Sequence, residues 1–182
     1  MTTNSPTWLE EAKERLARAL CTVFGLEWES DEALEFMRYA YMDDAPQPPR
    51  TQDVLYIDAV VLDDATTSAI DTTFSDKARV RETIALNCPL VFYGPHSTVN
   101  AQRAKTVLMI DTGPGCPRDI LRQGNMVIEW MPPAPTSTRE QDEDMWRQRA
   151  DLNVRINLLH TVELDFSPIE GMPEVITSAR PY

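Results

Sequence analysis

Two stretches of the chain alternate apolar and polar residues with a period of two, and each predicts a long strand buried on one side. In residues 79–93, RVRETIALNCPLVFY, one face collects Val80, Ile84, Leu86, Cys88, Leu90 and Phe92, and the other Arg81, Thr83, Ala85 and Asn87. In residues 146–164, Leu152, Val154, Ile156 and Leu158 point inward, and Asp151, Asn153, Arg155 and Asn157 outward. Helical spacing governs two other stretches. Leu9, Ala12, Leu16, Leu20 and Val23 follow Ser5-Pro6, which predicts a helix capped by Ser5 and ended by Gly25. Glu11 with Arg15 and Glu14 with Arg18 are expected pairs on its outer face. Gly94-Pro95 breaks the first long strand. Ser97 is then the predicted N-cap of a second helix, whose Ala101, Ala104 and Leu108 form a narrow stripe of the kind that lies close on a sheet.

Shorter signals fill the intervals. Residues 54–62 read as a strand with Leu55, Ile57, Ala59 and Val61 on one face, fed by the proline-rich segment 45–54. Residues 63–78 form a long polar connection, of the kind that is functional or disordered in compact domains. Gly113, Pro114 and Gly115 predict a turn, Pro117 the start of a short helical turn closed by Gly124, and 126–131 a further strand. Residues 132–144 read as a second proline-rich, charged loop, and the tail after Phe166 as ordered only against a partner. Residues 33–42 fit either helix or strand. Pro89 lacks a ladder donor inside its strand, which implies an edge or a bulge. Together these elements predict a single α+β domain over 1–182, with a mostly antiparallel sheet of about five or six strands, two or three helices and a long hairpin-like arm.

Charge narrows the function classes. With 29 acidic against 17 basic residues the net charge is −12, which disfavours binding to phosphate backbones, because that binding is driven by Lys and Arg releasing counterions. The three cysteines, Cys21, Cys88 and Cys116, are odd in number and have no metal-ligand spacing, so neither a disulfide framework nor a zinc site is expected. Reduced thiols in a cytosolic compartment are. No basic start followed by an apolar stretch marks an export signal, and no run of about 18 apolar residues marks a membrane span.

Candidate chemistry is thin. The 113–115 turn before a helix start resembles a phosphate cradle in outline, but it lacks the lysine and spacing of a P-loop and reads better as a turn. His96 and Cys88 are separated by eight strand residues, about 25 Å, too far for a thiol–imidazole pair. The carboxylate runs Asp43-Asp44, Asp63-Asp64 and Asp142-Glu143-Asp144 lack the glycine-spaced loop or helix of a cation site and read as solvated charge. On residues alone, a small acidic cytosolic hydrolase with loop-borne acids or a nucleotide-binding protein built on the 113–115 turn stays open.

One set of motifs resembles a known family. The strand closing in Phe92-Tyr93-Gly94-Pro95 before an alanine-bearing helix is similar to the neck and tail-terminator proteins of tailed bacteriophages. The N-terminal amphipathic helix, the proline-rich 45–54 feeding a strand and the late strand at 149–159 agree in order and type, so the resemblance spans most of residues 8–165. Pro89 departs from the pattern. The resemblance favours a strand within 33–42. It implies a structural virion protein made in the host cytoplasm, without enzymatic activity, cofactor, metal or membrane contact. Such proteins usually form a ring, often a hexamer, that ends the tail tube or sits in the neck. Its partners would be further copies of the chain, the tail tube protein, a head-tail connector or adaptor and, in a contractile tail, the sheath, with DNA passing the lumen unbound. Under that reading 63–78 is an arm anchored by Ile70 and Phe74; Arg79, Arg81, Arg147 and Arg149 are interface candidates opposite acidic loops; and Tyr93, Gly94 and Pro95 form a structural corner.

Overall fold

The computed structural model describes residues 7–40, 49–62, 67–71, 77–142 and 145–165. Helix α1 (Thr7–Phe24) buries Ala12, Leu16, Leu20 and Val23 along its predicted stripe and stops where Gly25 turns to φ +73°. On its outer face Glu14 pairs with Arg18 at 3.1 Å. Arg15, expected to pair with Glu11, instead lays its stem across Gly124, where a Cβ would overlap it. The 33–42 segment resolves both ways in part. Ser30 caps α2 (Asp31–Phe36) by accepting the Ala33 N–H at 3.2 Å, and the chain then extends into β1 (Met37–Tyr39). The structural reason is tertiary: Phe36 packs edge-on against Phe24, 4.8 Å away, and β1 finds a parallel partner in β2 (Val54–Ile57).

The sheet is built around the two long strands. β5 (Lys77–Tyr93) and β8 (Met145–Asp165) pair antiparallel from Lys77 opposite Asp165 to Tyr93 opposite Arg149, a ladder about 55 Å long. The order across the sheet is β1-β2-β5-β8-β6, with β6 spanning Met126–Trp130. β3 (Val60–Val61) and β4 (Thr67–Asp71) also pair with β5, and β7 (Thr136–Asp142) with β8. Ile84, Leu86, Cys88, Leu90 and Phe92 of β5 and Leu152, Val154, Ile156 and Leu158 of β8 share one core cluster with the apolar residues of α1, α3 (Ser97–Met109) and α4 (Pro117–Gln123). The helices therefore cover one face of the sheet. Arg81, Asn153, Arg155, Leu159 and Thr161 stand exposed on the other, over which no helix lies among the described residues.

The α+β reading holds, with eight strands and four helices among the described residues where fewer were expected. Three differences have physical causes. Residues 136–142, predicted as loop, are β7: polar on both faces, they show no period in sequence and become a strand only because β8 offers a free ladder edge. Pro89 sits in an interior strand and not at an edge. Its missing donor faces the interruption between β2 and β3, where Asp58 donates its N–H to the Pro89 carbonyl at 3.3 Å, so the β5–β8 ladder is undisturbed. The arm is three-stranded: β4 forms a hairpin with the first half of β5, and the end of β8 runs along the other side. Phe74, the carboxylate runs at 43–44 and 63–64, and the tail after 165 lie outside the described residues.

Candidate assembly surfaces

The Tyr93-Gly94-Pro95 corner joins β5 to α3. Gly94 adopts φ +111°, and its N–H reaches across to the Gln148 carbonyl at 3.2 Å, closing the end of the β5–β8 ladder. A Cβ at Gly94 would lie 2.7 Å from both Asp53 Cα and Gln52 O. Asp53 is the residue that shapes the corner: its carboxylate accepts the His96 N–H at 2.9 Å and meets His96 Nδ1 at 2.8 Å. It thereby does the work predicted for Ser97. Ser97 is instead the first helical residue, fully buried, and the N-cap is His96 with no side-chain cap of its own. Nothing local marked Asp53 for this role, because it arrives from 43 residues away.

Beside the corner, on the helix-free face, Tyr93 organises a charged cluster. Its hydroxyl donates to Glu140 Oε2 at 2.6 Å, and Arg149 donates to the same oxygen at 3.1 Å and to Asp151 at 2.7 Å. The guanidinium groups of Arg147 and Arg149 lie 4.7 and 5.7 Å from the Tyr93 ring centre, and Tyr56 stands edge-on to it. Burial first, then the bond to Glu140, pushes the Tyr93 hydroxyl up to about 12. The Tyr93 hydrogen bond, followed by that from Arg149, holds the Glu140 carboxyl below its ordinary value. Asp151, ahead of the smaller effects of Tyr93 and Glu140, raises Arg149.

These shifts fix a pH window for the β7–β8 hairpin. The Glu140 contribution is present above the ordinary carboxylate value of 4.5 and is lost as pH falls through the lower folded value. The Tyr93 contribution is complete below 10 and is lost as pH rises from there to about 12. Tyr93→Phe is expected to lower stability by about 1 kcal/mol, the partly exposed setting discounting a charge-assisted bond. It should also remove much of the acid-side loss, and thermal unfolding at pH 3, 7 and 11 checks both.

Five of the six interface candidates lie among the described residues and fall into two groups. Arg81 is exposed on the arm, opposite Ala69 and Thr161; Arg79 stands opposite Asp71 and Glu163, and Ile70 opposite Val80. Arg147 and Arg149 are at the far end of the ladder, twelve residues or about 40 Å along β5 from Arg81. Arg149 is engaged with Glu140 and Asp151, whereas Arg147 lies against the Tyr93 ring with its Nε and Nη2 buried and without a hydrogen-bond partner; at 7 % exposed, little of it is left for a neighbour. What sequence reasoning missed is apolar: Leu34, Val127, Trp130, Trp146 and Leu159 are large and exposed, although only tertiary structure separates such residues from core.

The 113–115 segment is a turn whose amides are already taken. Gly115 N–H donates to Asp119 at 2.8 Å, Gly113 N–H to Asp111 at 3.4 Å, and Arg122 is held by Asp111. Two carboxylates occupy the positions a phosphate would need, so the loop is poorly suited to one. Cys21 and Cys88 are buried, and desolvation raises both thiols, Cys88 to about 12. Among the described residues no cluster of His, Cys, Asp or Glu could hold a metal, and no helix is long and apolar enough to cross a membrane.

Such a domain is a one-sided sheet with an arm at one end and large apolar side chains exposed along its edges, an architecture suited to a structural protein. A family model described as phage neck terminator protein matches residues 12–179, and the chain belongs to that family, one of structural proteins of the phage neck. No curated protein matches the chain.

Proposed function

We propose that the protein forms a ring, a hexamer in this proposal, that ends the tail tube and joins it to the head connector while DNA passes through. The family match over 12–179 carries this reading. Its partners are further copies, the tube protein, a connector or adaptor and, in a contractile tail, the sheath. The three-stranded arm supports it physically, since it carries the sheet past the core cluster, which ends at Ile84 and Leu158, as a reach to a neighbouring subunit would require. Ile70, Phe74, Arg79 and Arg81 belong to this arm in the proposal, and Tyr93, Gly94 and Pro95 set the corner at the other end of the ladder.

The acidic balance suits a channel that DNA must cross without sticking, because carboxylates repel a backbone carrying one charge per about 1.7 Å. Duplex DNA is therefore expected to show no measurable binding at low salt, where weak basic patches reveal themselves; tight, salt-sensitive binding in a gel-shift titration would contradict it. The decisive experiment is genetic. Phage lacking the protein should accumulate filled heads and separate tails, and electron microscopy of joined, infectious particles would remove the reading.

A further inference from the structure

The sheet ends in β1 on one side and β6 on the other, and these two edges carry patches of complementary character. At the β1 edge Leu34 is 63 % exposed and Tyr39 37 % exposed. Beside them lies an apolar groove of about 220 Å³ lined by Ala17, Trp28, Ala33, Met37 and Ile57. Trp28 Nε1 is shut off from solvent there without a hydrogen-bond partner. Residues 27–36 around this groove carry five acids and no base. The two arginines at the groove are engaged within the chain: Arg18 pairs with Glu14 and lies over the Trp28 ring, and Arg38, in the groove wall with Glu29, has partners of its own.

At the β6 edge Trp130 is 50 %, Val127 54 % and Leu159 42 % exposed. Trp130 stands opposite Arg155, whose guanidinium lies 6.0 Å from the indole centre. Glu129 is the one acid on the edge strand, and the stretch of β8 paired with it, 155–158, carries Arg155 and no acid.

We propose that the β6 edge of one copy docks on the α2–β1 edge of a second copy, with Trp130 seated in the apolar groove and Arg155 facing the acids of residues 27–36. Contiguous exposed apolar groups rimmed by charge mark an interaction surface, and Trp and Arg are the side chains that most often dominate one. The five acids of 27–36 disfavour that patch meeting itself and favour Arg155 as its neighbour. Because the patches occupy opposite edges of the same sheet, the contact is heterologous: each copy keeps a free edge of each kind, and repetition closes a ring when the rotation permits. Closure into a ring rests on the function proposed above, whereas the contact between copies does not.

Mixing two single-edge variants of the full chain tests it. Trp130→Ala with Arg155→Glu disables the β6 edge, and Leu34→Asp disables the α2–β1 edge; Glu32→Lys with Glu35→Lys, at exposed positions, reports on the second edge even where Leu34→Asp disturbs folding. By analytical ultracentrifugation each variant alone is expected to associate at least about thirtyfold more weakly than the wild type. A one-to-one mixture of the two kinds should form a heterodimer and nothing larger, since only one intact edge of each kind remains. Wild-type-like assembly of either variant, failure of the mixture to dimerise, or a wild-type chain that stays monomeric at about 100 μM overturns the contact. The neck reading stands or falls separately, on whether heads and tails join without the protein.

Discussion

Gly94→Val is expected to lower stability by about 3 kcal/mol, enough to reduce the melting temperature by roughly 10 °C. A β-branched residue is strained at φ +111°, and the backbone atoms Asp53 Cα and Gln52 O leave no room for its Cβ. The corner has to open, which also strips Asp53 from His96 and pulls Gly94 N–H from Gln148. Removing the Asp53 side chain gives no relief, because the obstructing atoms include main chain. Asp53→Ala with Gly94→Val should thus remain at least as unstable as Gly94→Val alone in calorimetry. Full recovery in the double variant would show that the conflict lies with the carboxylate and that the backbone yields. A stable Gly94→Val that no longer assembles would move the corner from the fold to an interface.

Phe92→Ala is expected to be more damaging, at about 3 to 5 kcal/mol. Phe92 is 1 % exposed and lies 6.2 Å from Phe24, centre to centre, where the penultimate residue of β5 meets the end of α1. Truncation leaves a cavity between two elements that cannot collapse independently, since β5 is fixed by β2 on one side and β8 on the other. Val91→Ala, one residue earlier and on the helix-free face, is the control and should lose well under half as much. Denaturant midpoints measured together separate the two. Equal losses would mean that the helix-free face is covered in solution.

Much of the framework is legible without coordinates because it is recorded in local periods. The two long strands, the stripe of α1, the small-residue face of α3 and the turn at 113–115 all follow from which residues can share a face and which backbones need glycine. The family resemblance was legible for the same reason, since its motifs are a strand end, a corner and a helix start. The interface candidates were less so. A sequence shows that Arg81, Arg147 and Arg149 alternate outward, but not that Arg147 and Arg149 are drawn onto Tyr93 and Glu140 while Arg81 stays free of that cluster.

The sequence by itself determined the class of fold, the buried faces of its longest elements and the acidic excess, because side-chain alternation and net charge are properties of the chain alone. Only tertiary structure decided the rest. Residues 136–142 became β7 because a backbone edge, which has no sequence signature, was available on β8. Pro89 could lie mid-sheet because a break in a distant strand falls opposite its missing donor. Asp53, not Ser97, secured the start of α3 because a carboxylate brought in by the fold reached the His96 amide. Leu34 and Trp130 ended at opposite edges of the sheet for a related reason: strand order is set by long-range pairing, and no local pattern records which strands are left outermost.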